Sequence, residues 1–162
     1  MKITAQEEYG IRCLLRLARA GQPLTIPEIA AHEQLSIAYV GKLLMLLRQA
    51  GLVESVRGRT GGYHLARSAE EITLGQALLA LGEPLFDEPG YCSRHAGPET
   101  TGPCVHTEGC HLRGLWQTLA QYMQHILEQV TLHDLLTGEL PVVRQLREQL
   151  PERVPLLTLT PP

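Results

Sequence analysis

No run of apolar residues in this chain approaches the roughly 20 needed for a helix to cross a bilayer, and the opening "MKITAQEEYG" has none of the basic-then-apolar order of a secretory signal. A membrane role is therefore not expected, and the expected address is the cytoplasm. Cysteine is also scarce: 4 in 162 residues are too few for a disulfide scaffold. There is no internal repeat and no long low-complexity segment. A phosphate-cradling Gly-rich loop, a nucleophile elbow and a Ser-His-Asp arrangement are all missing, so the chain does not read as an enzyme.

What is present is a soluble, globular composition, with 44% hydrophobic residues, enough to bury a core in one compact unit. The formal net charge of −3 conceals an asymmetry. Residues 1–67 carry nine Lys/Arg against five Asp/Glu, and residues 68–162 carry five against twelve. A basic module is followed by an acidic one, which points toward nucleic acid for the first.

That first module has the punctuation of three helices. Thr4 and Glu7 stand in capping-box spacing before an apolar stripe through Ile11, Leu14, Leu15, Leu17 and Ala18 that stops at Gly21. Thr25 and Glu28 repeat the box, with Pro27 in the first turn where a missing N–H costs nothing. Ser36 caps "IAYVGKLLMLLRQAG", whose Val40, Leu43, Leu44 and Leu47 face a core. The second and third helices, a short turn apart, have helix-turn-helix spacing, and "LVESV" and "YHLAR" read as strands flanking the turn "RGRTGG". Glycines explain the turn but not Arg57 and Arg59 at its tip, which suit phosphate or minor-groove contact. Ser36, Ala38, Tyr39 and Lys42 occupy the first turns of the presumed recognition helix, with Tyr39 equally suited to packing.

Farther on, a short helix is expected over about Leu74–Leu81, started by Ser68 with Glu71 or by Thr73 with Gln76. Leu112, Leu115, Trp116, Leu119, Met123, Ile126 and Val130 then recur at helical spacing over about five turns. So long a stripe exceeds what so small a chain can cover, and a second copy would supply the partner. Thr131 and Asp134 open another short helix, "LPVVRQLREQL" suits a final amphipathic one, and "PERVPLLTLTPP" reads as a loose tail.

Between the two regions lies "YCSRHAGPETTGPCVHTEGCHL". Cys92, Cys104 and Cys110 crowd one Pro- and Gly-broken stretch, with His95, His106 and His111 among them. Cysteine normally prefers burial, so three in an exposed loop imply chemistry. An iron-sulfur cluster, a structural zinc and a thiol-disulfide switch are all compatible with three thiols, and the first two need one more ligand. Cys13, on the apolar stripe of the first helix, reads as packing, and Trp116 as a core or interface aromatic.

The stretches "EYGIRCLLRLA", "IPEIAAHEQLSIAYVGKLLMLLRQAGLVESVRGRTGGYHLAR", "EITLGQALLAL" and "CHLRGLWQTLAQYMQHILEQVTLHDLL" resemble, in order and spacing, the Rrf-two-type bacterial transcription regulators, whose members include IscR- and NsrR-like iron-sulfur proteins. The resemblance implies a mainly α fold with a small β-wing: a winged helix-turn-helix domain (1–82), a cysteine-containing cluster loop (83–111), a dimerisation helix and short following helix (112–138) and a C-terminal segment (139–162). It implies a homodimer on a palindromic DNA operator, with Cys92, Cys104 and Cys110 holding a 2Fe–2S or 4Fe–4S cluster. In nitric-oxide-sensing relatives an acidic residue from the other subunit completes the site, and the matching position here is Glu8. In IscR-like members a histidine three residues after the last cysteine does so, and here that position is Arg113, leaving His111 as the alternative. The loop also departs from the family's C-x5-C-x5-C pattern, reading C-x11-C-x5-C. Extra loop length costs only a few tenths of a kcal/mol in closure entropy.

Overall fold

The computed structural model describes residues 3–58, 61–83, 88–94, 104 and 110–149. Within them the order is α1 (Ala5–Ala20), α2 (Ile26–Glu33), α3 (Ile37–Gln49), β1 (Val53–Val56), β2 (Gly62–Leu65), α4 (Leu74–Leu81), α5 (Glu88–Arg94), α6 (His111–Glu128), α7 (Leu132–Thr137) and α8 (Pro141–Gln149). Among the described residues no helix is long and apolar enough to cross a membrane.

Local chemistry sets the helix starts. Thr4, Thr25, Thr73 and Thr131 each accept from the backbone N–H three residues on. Glu7, Glu28, Gln76 and Asp134 answer each of them by accepting from the capping residue's own N–H. Each such cap contributes about 1 kcal/mol. Ser68 donates its N–H and hydroxyl to the Glu71 carboxylate while the Glu71 N–H returns to the Ser68 carbonyl, which closes only a turn, so Thr73 is the residue that starts α4. The turn between α2 and α3 bends at Gln34, whose φ of 55° is left-handed, and the Leu35 N–H returns to the Ala30 carbonyl at 3.0 Å.

The core joins α1, α2 and α3 through Cys13, Leu14, Leu17, Ile29, Val40, Leu43, Leu44 and Leu47, with Leu52, Val53, Ile72, Ala77, Leu81 and Leu132 closing it from the later elements. Burying each large aliphatic side chain there contributes about 1.5–3 kcal/mol.

β1 and β2 pair antiparallel, with Val53 opposite Leu65 and Val56 opposite Gly62. A third short segment joins them: Leu24 exchanges backbone bonds with Tyr63 at 2.9 and 2.7 Å, anchoring the wing to the link between α1 and α2. That approach needs Gly62, because a Cβ there would lie 2.5 Å from the Leu24 carbonyl oxygen. The result is a winged helix-turn-helix, as the helical punctuation and Gly-rich turn predict.

A second backbone tie fastens the C-terminal elements to this unit. Leu74 N–H donates to the Val130 carbonyl at 2.7 Å and Leu132 N–H to the Ile72 carbonyl at 2.9 Å, so α6 returns onto α4. Gly75 allows the approach, since a Cβ there would meet Gln124 and Glu128 at 3.1 Å. The far half of α6 is different. Leu112, Leu115, Trp116, Leu119 and Tyr122 are all 44–55% exposed, which removes Trp116 from any core of this chain.

Among the described residues the sequence reading differs from the structure at one element, and the tail from Pro151 lies outside them. The stretch expected to be a cysteine loop contains α5, which carries Cys92. Pro89 and Gly90 read as breakers, but a proline in the first helical turn forfeits no intrahelical bond.

Candidate DNA interface and cysteine site

α3 presents its first turns outward because its apolar positions bury the opposite face. Ala38 and Lys42 are exposed, as is Ile37. Ser36 is exposed too, but its Oγ is engaged as the cap, accepting from the Tyr39 N–H at 3.2 Å. Tyr39 is half-buried and packs edge-on against Tyr9 of α1, with ring centroids 6.1 Å apart and planes at 87°. Of the two roles open to it from sequence, packing is therefore occupied.

The wing lies beside this helix. Arg48, near the end of α3, reaches Ser55 of β1 at 3.5 Å, and Arg57 is exposed just past β1. Arg59 lies outside the described residues. Not all the basic charge of residues 1–67 faces outward. Glu33 accepts from Arg12 at 2.9 Å and from Arg16 at 3.2 Å, and the Arg12 guanidinium also sits 5.3 Å above the Tyr9 ring. These two cations clamp α1 to α2, while among the described residues Lys42, Arg48 and Arg57 are exposed positive groups on the recognition helix and beside the wing. An exposed recognition helix flanked by cations is what phosphate positioning and base readout require.

The cysteine site assembles from helix ends. Cys110 is the N-cap of α6, its Sγ accepting from the Arg113 backbone N–H at 3.4 Å. The Arg113 guanidinium reaches the other way, its Nη1 donating to Cys92 Sγ at 3.6 Å. One residue thus touches two of the three predicted thiols, which belong to two consecutive helices. Cys92, Cys104 and Cys110 are free and half-buried. His111 is exposed on the first residue of α6, and Glu8 is exposed in the first turn of α1. His95 and His106 lie outside the described residues.

Among the described residues no three His, Cys, Asp or Glu side chains converge as metal ligands. The donors match an iron-sulfur or zinc centre in kind, being free thiols with a guanidinium beside Cys92, but this one chain does not gather the predicted ligands into a set. Cys13 stands apart from this chemistry. It is fully buried, and burial, reinforced by the nearby Glu33 carboxylate against the opposing Arg12 charge, pushes its thiol up to about 12. A thiol held neutral and enclosed is inert. The contact that sequence reasoning passed over is Arg113, noted there only as a departure from histidine. Its spacing of three from Cys110, the N-cap to N3 relation, is the signal that marks its N–H as the cap donor.

Comparison with known proteins gives a consistent picture. The family model named Rrf2, described as an iron-dependent transcriptional regulator, matches residues 3–138. The chain is 37% identical over 138 residues to the protein rrf2 of Nitratidesulfovibrio vulgaris (strain Hildenborough), covering 84% of this chain and 87% of that one. It is 31% identical over 139 residues to the transcriptional regulator IscR of Vibrio parahaemolyticus, covering 85% and 78%. Among solved structures it is similar to CymR, the global cysteine regulator of B. subtilis, with a TM-score of 0.66, 29% identity and coverage of 85% and 98%.

Proposed function

Because the chain belongs to the Rrf2 family of DNA-binding transcriptional regulators, we propose that its affinity for a palindromic operator is set by an iron-sulfur cluster. The cluster would sense redox state, nitric oxide or iron and cluster status. The family is one of regulators, not enzymes. The observation that carries the cluster reading is the meeting of Cys92 and Cys110 at Arg113. Cys92, Cys104 and Cys110 would hold the group, with Glu8 of the partner subunit as fourth ligand and His111 as the alternative. When bound, such a cluster supplies a redox-active and displaceable iron centre, and a carboxylate among thiolates is the weaker, more readily exchanged ligand.

The chain's own residues transmit the state of that site. Glu8 precedes Tyr9, and Tyr9 packs on Tyr39 in the first turn of α3. A restraint on the start of α1 is therefore a restraint on the recognition helix. In a homodimer joined through the exposed face of α6, it also biases the separation of two recognition helices, which must match half-sites about one helical turn apart or a multiple of it.

A second reading has its own support: two thiols held by one arginine, with no third ligand beside them among the described residues, also suit a thiol-based switch, and the likeness to a CymR structure described as an oxidized form fits it. Iron, acid-labile sulfide and zinc analysis of protein purified without oxygen separates the readings. Iron and sulfide in near-equal amounts, with visible absorption bleached by oxidant or nitric oxide, supports the cluster. Metal-free protein that takes up neither iron nor sulfide on reconstitution, yet loses operator affinity on thiol oxidation, supports the switch. Zinc without sulfide makes the site a brace.

A further inference from the structure

Arg113 stands where a ligand would be expected from the IscR-like pattern, yet it cannot be one. A guanidinium stays protonated at any ordinary pH and offers only N–H donors, with no lone pair for a metal. What it does offer is two donors pointing in different directions. Its backbone N–H is fixed by α6, because it is the third residue of the helix that Cys110 caps, and it meets Cys110 Sγ at 3.4 Å. Its side chain spans outward to Cys92 Sγ at 3.6 Å, on a different helix. The residue is half-buried, so the charge is partly shielded from water.

We propose that Arg113 is a positioning residue of the sulfur site: its guanidinium ties Cys92 of α5 to the end of α6 that Cys110 caps, and keeps a fixed positive charge beside the Cys92 thiol. This rests on the cluster reading for the purpose of the site, but the tie itself belongs to the metal-free protein. α5 is only two turns long and too short to be stable alone, so a link to the longer α6 restrains where Cys92 stands before any metal arrives. The fixed charge has a separate consequence. Thiolate ligands bring excess negative charge to a cluster, and a cation at the sulfurs favours the more negative, reduced form.

The two consequences are tested on the full-length protein. In the metal-free form, Arg113→Gln removes the guanidinium but keeps the backbone N–H, and Cys92→Ala removes the acceptor. Hydrogen exchange of the amides at the end of α5 is expected to quicken about threefold to tenfold in each variant, with the double variant no faster than the faster single one and with α1, α2 and α3 unchanged. Rates that multiply in the double variant would show that the two side chains act independently and would overturn the proposed tie. In cluster-loaded protein, Arg113→Gln is expected to move the reduction potential to more negative values, and Arg113→Lys, which keeps the charge, to restore most of the shift. An unmoved potential in Arg113→Gln would overturn the charge role. If the exchange rates show coupling but wild-type protein assembles no cluster from iron and sulfide, the tie stands and the cluster reading falls.

Discussion

Cys13 and Cys92 have the same side chain in opposite surroundings. Cys13 is enclosed by the packing of α1 against its neighbours and faces the Glu33 carboxylate, so its thiol is held neutral up to about pH 12. The unfolded chain releases that proton near the ordinary thiol value of about 9. Between those limits the native state binds more protons than the unfolded one, so this contribution to stability is fully present below about pH 9 and is lost as pH rises toward 12. At pH 10 the loss is on the order of 1 kcal/mol. Urea unfolding at neutral pH and near pH 10 checks this: wild-type protein should lose about that much more stability than Cys13→Ala, and equal losses in the two proteins would contradict it. Cys92 instead accepts from the Arg113 guanidinium near the end of α5, and alkylation of native protein should label it while sparing Cys13.

The wing depends on a backbone approach that no propensity encodes. Gly62 lies against the Leu24 carbonyl, and a methyl group added there meets main chain, which cannot rotate aside. Gly62→Ala should cost about 1–3 kcal/mol and weaken DNA binding by displacing the strand that leads back from the Arg57 turn. Thermal unfolding and operator titration would check both, and a variant with wild-type values in each would show that the Leu24 pairing is dispensable. The Leu24 pairing was illegible in sequence, as was the tie between Leu74 and Val130, because each joins segments that carry no local pattern for meeting. What was legible is local: the reciprocal caps at Thr4, Thr25, Thr73 and Thr131, the apolar face of α3, and Gly and Arg at the turn. The cysteine region was legible in part. Its thiols were evident from composition, while α5 hid behind Pro89 and Gly90, and the role of Arg113 appears only when α5 and α6 are brought together.

At the scale of the whole molecule, α6 has two halves with different partners. Met123 and Ile126 are half-buried and Val130 is buried, on the side where the helix returns to α4. Leu112, Leu115, Trp116, Leu119 and Tyr122 are exposed along the other half. A row of large apolar side chains left in water is unfavourable and marks an association surface, and a second copy offers a self-complementary one. On the proposed dimer, Leu119→Glu would bury a charge within the apolar interface, while costing the isolated chain little because the position is already solvated. Sedimentation should therefore show the variant as a monomer at concentrations where wild type is a dimer. Its affinity for a full palindrome should fall by at least about a hundredfold, since two linked half-site contacts become independent, while binding to a single half-site stays near wild type. A variant that remains dimeric with unchanged palindrome affinity would place the interface elsewhere, and the exposed face of α6 would then need a different partner.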